Sequence, residues 1–395
     1  MNKISTKNRL VLALALIIGL AAISCKTKEI DTPAPSSTPG YRTTKIDYNT
    51  LTVTTSYKTP FLLANGDSTI NRNDGRIRLR MFRALTSYIS SSITAGVIID
   101  ETKLNNMFTN TGSPFTGVYA DLNNVSFNIK DVTAFSKANQ SDVHHDLEVA
   151  FGKMAYISTK ASQTASKGIA GKNGAYLVDE NGVEWAQIIQ KTLIGAYHLD
   201  LISNVLLNTG LNADNQNLVP GKKYTQLEHN WDEAYGFFTN NDMYYNGTTD
   251  QAAVEISTEY YLGSYAWEFN KEGFVKLHSA FLKGRAAVHN NDMNEVRAQA
   301  TIIRKILETT IGGASNGYMS ESYDASSTEA LKVHAFGEGK GFVYSTRFCT
   351  LTGADDVYSV DLLDDLVTPN TPTFYDITTL QFTTVASKLR SKFNL

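Results

Sequence analysis

Two short stretches of the chain carry chemically able side chains at the same spacing. His229, Trp231, Glu233, Gly236 and Phe237 recur as His334, Phe336, Glu338, Gly341 and Phe342, so both read His-x-aromatic-x-Glu-x-x-Gly-Phe. On a helix, residues four apart share a face, so each stretch presents an imidazole beside a carboxylate. Two chemistries suit that arrangement. Each pair is a local structural contact in one of two duplicated bundles. Alternatively, His229, Glu233, His334 and Glu338 converge as a four-ligand nitrogen and oxygen site for a transition metal such as zinc or iron. Sharing an ion requires all four ligand atoms within reach of metal bonds of about 2.0 to 2.2 Å.

Other residues able to bind something are sparser. His198 lies on an apolar stripe with Ile194, Leu201 and Val205, where one hydrogen bond suffices to keep a neutral imidazole buried; it is a core residue first and a ligand second. Tyr260, Tyr261, Tyr265 and Trp267 crowd the connection between the two echoed stretches, with Asn241, Asp242, Asn246 and Asp250 nearby. Such rings stack on sugars when exposed and pack on the bundle when not. The zincin His-Glu-x-x-His string, the Gly-x-Ser-x-Gly elbow and the phosphate loop are all absent from the sequence, so no catalytic residue is assigned.

The elements that must position these groups read as helices. Apolar residues recur at helical spacing over 76–92 and 143–166, and the run 183–208 is apolar nearly all round, the mark of a central helix. Further helices are expected over 224–238, 267–289, 291–311, 328–348 and 376–392. A tight turn is expected at Asn181-Gly182, and one short extended segment within 43–59. The predicted fold is all-α: two pseudo-repeated bundles, 76–240 and 262–395, after that extended segment.

The amino terminus is an export signal. Lys3, Lys7 and Arg9 precede an apolar run over 10–23, too short to span a hydrocarbon core of about 30 Å, and Ala22-Ile23-Ser24-Cys25 resembles a bacterial lipobox. Cys25 is then the lipidated residue, 1–24 the signal peptide and 25–42 a flexible Pro/Ser/Thr-rich tether holding the body, 43–395, to an outer membrane, at its periplasmic or outer face. The formal net charge of −3 becomes more negative once the basic leader is removed, and no basic cluster remains, which argues against nucleic acid as a partner.

The stretch from Asn181-Gly182-Val183-Glu184-Trp185 to Gly195-Ala196-Tyr197, followed by His229-Asn230-Trp231-Asp232-Glu233-Ala234-Tyr235-Gly236, resembles an uncharacterised family of exported Gram-negative lipoproteins, a domain of unknown function. More distantly, the helical layout resembles the imelysins, which include periplasmic iron-uptake proteins and were once classed as peptidases. Their Gly-x-His-x-x-Glu string does not occur: in Gly195-Ala196-Tyr197-His198 the His comes one residue late, with no Glu three places on. The expected function is a non-enzymatic binding or accessory module, for iron or another metal, working with an outer-membrane transporter. A metallopeptidase-like enzyme and a glycan-binding nutrient-uptake lipoprotein are the alternatives.

Overall fold

The computed structural model describes Gly40, residues 42–244 and residues 259–395. The leader, Cys25 and the tether up to residue 39 lie outside the described residues, as do Tyr245, Asn246 and Asp250. Among the described residues no helix is long and apolar enough to cross a membrane.

The body is all-α, with one two-stranded hairpin. In chain order it runs α1 (Asn73–Ala95), α2 (Glu101–Thr109), α3 (Gln140–Ser158), β1 (Gly171–Asn173), β2 (Tyr176–Val178), α4 (Trp185–Leu193), α5 (Gln226–Phe238), α6 (Leu262–Phe269), α7 (Lys271–His289), α8 (Met293–Glu321), α9 (Glu329–Ser345), α10 (Asp356–Leu366) and α11 (Thr379–Phe393). The long apolar run is central, as its lack of a polar side requires, but it is not one α-helix. α4 loosens into a π-helix over Ile194–Leu206, nearly all of it buried. Gly195 lies there because a Cβ would sit 2.3 Å from the Ser345 hydroxyl.

Helix pairing runs both within the two expected halves and across them. α1 lies along α5 in the first half and α8 packs against α6, α7, α9 and α11 in the second, whereas α4 lies along α9 and α5 against α7 across the divide between residues 240 and 262. One hydrophobic core runs through both halves.

Three local expectations change. Residues 43–59 form no strand among the described residues. They make turns at Tyr48–Thr50 and Thr59–Phe61 and are held by side chains instead: the Tyr57 ring stacks on Tyr235 at 3.8 Å between centroids, and its hydroxyl donates to Asp232. The single helix expected over 267–289 breaks at Asn270, whose side chain caps α7 by accepting from the Gly273 amide and also donates to the Ile306 carbonyl. α8 runs ten residues past Ile311. Gly312 and Gly313 sit inside it at close approaches: a Cβ on Gly312 would meet the Phe393 ring at 2.3 Å and one on Gly313 the Phe269 carbonyl at 3.1 Å.

Candidate functional site

The first echoed stretch sits at the start of α5. Thr225 and Glu228 form a capping box, which fixes the first turn and sets His229 and Glu233 on one face. That face meets the first turns of α1, and the approach is close because both helices carry glycine at the crossing. A Cβ on Gly75 would lie 2.1 Å from the Glu233 carbonyl, and one on Gly236 2.4 Å from the Arg72 carbonyl. The crossing brings Asp74 Oδ2 to 3.5 Å from His229 Nε2, while Glu233 Oε2 lies 3.9 Å from the same nitrogen. Glu233 gives its other oxygen to Arg78 Nε at 2.7 Å. Tyr224 stacks on the imidazole.

Charge follows from this geometry. Burial works against a charged imidazole at His229, but the hydrogen bond it donates to Asp74 and the charges of Glu233 and Asp74 outweigh it, and its pKa stands above the ordinary value. Asp74 is held below the usual carboxylate range, first by its hydrogen bond with His229. Asp74, His229 and Glu233 are a group whose ligand atoms all lie within 4.8 Å of one another.

The second stretch, on α9, has an equivalent setting against α4. Glu184 occupies the place of Asp74 at the start of the partner helix, and Lys191 the place of Arg78. Lys191 Nζ contacts Glu338 Oε1 at 2.8 Å, while Glu338 Oε2 faces His334 Nε2 at 3.7 Å. Gly337 packs on the Glu184 Cβ and Gly341 on the Lys191 Cβ. One difference decides the chemistry. His334 meets Glu184 through Nδ1, at 2.7 Å, and Glu338 through Nε2, so its two nitrogens face two different acids. His229 turns one nitrogen to both. His334 is also raised above its ordinary pKa, burial being outweighed by Glu184 and Glu338.

The four residues expected to converge do not. His229 and Glu233 are held by α1, His334 and Glu338 by α4, and the four make no common ligand group. Each stretch recruits a carboxylate and a cation from a second helix instead. Those four partners, Asp74, Arg78, Glu184 and Lys191, were invisible as a set because they lie over a hundred residues away in sequence from the residues they meet.

His198 is a core residue. Fully buried on the π-helix, it bonds the Phe237 carbonyl through Nε2 at 2.8 Å, and burial pushes its pKa down to about 3. The aromatic connection also faces inward. Tyr261 stacks on Phe82 and bonds Thr86, and Tyr265 packs edge-on against Phe342 with the Lys191 ammonium over its ring. Tyr260 lies under the Arg83 guanidinium, and Trp267 packs against Phe274 and Lys271.

The neighbouring face of α5 explains the rest of its motif. Glu228 and Asp232 both bind the fully buried Arg285 of α7, at 3.0 and 2.9 Å, and Glu228 also takes Arg42. Trp231 donates its indole to the Phe281 carbonyl, and Tyr235 Oη contacts His278 Nδ1 at 2.7 Å. Alternate faces of one helix thus serve the core network and the His/carboxylate cluster.

Fold and site together define a helical body with a duplicated helix-pair motif, each copy framing a His between two acids. The chain belongs to the family described as Domain of unknown function (DUF4856), whose model matches residues 58–395. No curated protein and no solved structure matches it.

Proposed function

We propose that this protein is an exported, lipid-anchored and non-enzymatic binding module, and that it holds a divalent transition metal at Asp74, His229 and Glu233. One observation carries the reading: two carboxylate oxygens stand 3.5 and 3.9 Å from a single imidazole nitrogen. Ligands about 2.1 Å from a tetrahedral ion are about 3.4 Å apart, so only a small contraction is needed. An ion would replace the proton now shared between His229 and its acids. Arg78 keeps Glu233 oriented without using the oxygen that faces the ion. The Asp74 side chain is 40 % exposed, which leaves an entry path and a position for water or an exchanging ligand. A set of one imidazole and two carboxylates suits zinc or iron(II).

Handing the ion to an outer-membrane transporter fits an open, three-ligand site better than a closed structural one. The glycan reading has less support, because Tyr261, Tyr265 and Trp267 are committed to protein partners. Equilibrium dialysis against Zn²⁺ tests the proposal: one zinc per chain, weakened at least tenfold by His229→Ala or Asp74→Asn and unchanged by His145→Ala at an exposed position of α3. Stoichiometric zinc that ignores His229→Ala would refute it.

A further inference from the structure

The second copy of the motif borders a cavity. Between α1 and α4 lies a pocket of about 200 Å³ walled by one face of α1 and by the start of α4. From α1 come Thr86, Ser90 and Thr94; from α4 come Glu184, Gln187 and Gln190. Ile89, Ile93 and Ala186 supply an apolar wall between them.

The polar lining offers more acceptors than donors. Ser90 and Thr94 spend their single hydrogens within α1, on the Ser87 carbonyl and on the Ser90 carbonyl at 2.9 Å, and Thr86 is committed to the Tyr261 hydroxyl at 2.7 Å and to the Phe82 and Arg83 carbonyls. Only lone pairs remain for a guest. Gln187 Oε1 is buried and takes no hydrogen bond. Glu184, 5 % exposed, accepts from His334 at one oxygen and has no hydrogen bond at the other. Among these groups the donors to spare are the amide NH₂ groups of Gln187 and of Gln190, the latter's oxygen being engaged by Lys191.

Charge points the same way. The bases Lys191 and His334 contact the acids Glu184 and Glu338, and two further acids, Glu268 and Glu321, act on Glu338, so acids outnumber bases in the cluster. A buried acceptor without a donor is costly, so a guest that supplies N–H groups and positive charge recovers what the empty lining forgoes. An anion or a sugar carboxylate would meet lone pairs and a carboxylate.

We infer that the α1/α4 cavity binds a linear aliphatic amine: an ammonium group on Glu184 and Gln187, the methylene chain on Ile89, Ile93 and Ala186, and a second donor on the hydroxyls of Ser90 and Thr94 at the rim. His334 acts as the positioning residue, holding the Glu184 carboxylate by one oxygen so that the other faces the guest. The inference does not depend on the metal site, which lies on the other copy of the motif.

Calorimetry with 1,5-diaminopentane, with 1,5-pentanediol as the neutral isostere, tests it on the purified protein. Saturable one-to-one binding of the diamine is expected, with the diol at least tenfold weaker. Glu184→Gln and Gln187→Leu should each weaken the diamine at least tenfold, and Ala186→Trp, which fills the cavity, should abolish its binding. Because Glu184→Gln removes a buried ion-pair partner and can unfold the chain, Gln187→Leu and Ala186→Trp decide if it does. No diamine binding at millimolar concentration, equal binding of the diol, or diamine affinity unchanged in Gln187→Leu and Ala186→Trp would overturn the inference.

Discussion

His229 and His334 have the same neighbours in kind and differ in which nitrogen meets them. Because His229 uses Nε2 for both acids, protons and metal compete for one position. Its pKa lies above the ordinary histidine value, so the imidazolium persists past pH 6.5 and metal must displace a proton over that range. Zinc affinity should therefore rise with pH, up to tenfold per unit, until His229 has lost its proton, and then level off. The sign for stability is opposite: the contribution of the imidazolium is complete below the unfolded pKa and fades as pH rises through the folded one. Asp74→Asn removes the leading favourable partner, so the His229 titration followed by NMR should move to lower pH. If it stayed in place, Asp74 would not be the residue that holds the proton. His334, bridging through both nitrogens, should show no such competition with zinc.

At the scale of elements, the metal group exists because α1 and α5 touch at glycines. Gly236→Ala places a methyl 2.4 Å from the Arg72 carbonyl, which backbone cannot easily yield. The crossing should open and cost about 1–3 kcal/mol in urea unfolding, with zinc affinity reduced although no ligand is changed. Loss of stability with intact zinc binding would mean the ligand set tolerates a wider crossing. This crossing also marks what could be read in the chain. The two copies of the His-x-aromatic-x-Glu-x-x-Gly-Phe echo were legible, because i, i+4 and i+7 positions report a helix face directly. Their partners were not, because Asp74 and Glu184 begin helices whose pairing depends on tertiary packing. The break at Asn270 was hidden for a related reason: it rests on a side chain reaching Ile306 across the bundle. The short helices α2 and α10 were missed although Asp100 and Asp355 cap them, since neither is long enough to show a full apolar period.

The whole molecule depends on buried imidazoles as well as on apolar packing. His278 joins α7 to the Tyr235 hydroxyl and to the Thr55 carbonyl of the amino-terminal strap, and burial lowers its pKa to about 4. The unfolded chain takes up a proton near pH 6.5 that the folded His278 refuses, so this group's stabilisation is complete above pH 6.5 and is lost as pH falls towards 4. The buried carboxylates Asp232 and Glu259, pushed upward by burial, act in the other sense, so the contribution is read by comparison. Between pH 7 and pH 5, His278→Gln should lose about 2 kcal/mol less stability than the parent chain. Parallel pH profiles would show that His278 is protonated without unfolding. For location, Cys25→Ser should move the protein from the membrane fraction to the soluble one. Equal membrane retention would show that Cys25 is not the anchor.

The metal site at the α1/α5 crossing is tested most directly by anomalous diffraction at the zinc edge from crystals grown with zinc and without chelator. A single strong peak about 2.0–2.2 Å from His229 Nε2 and from one oxygen each of Asp74 and Glu233 is the predicted result. Zinc located elsewhere on the chain, or density in which Asp74, His229 and Glu233 keep their present contacts with no peak between them, would contradict it.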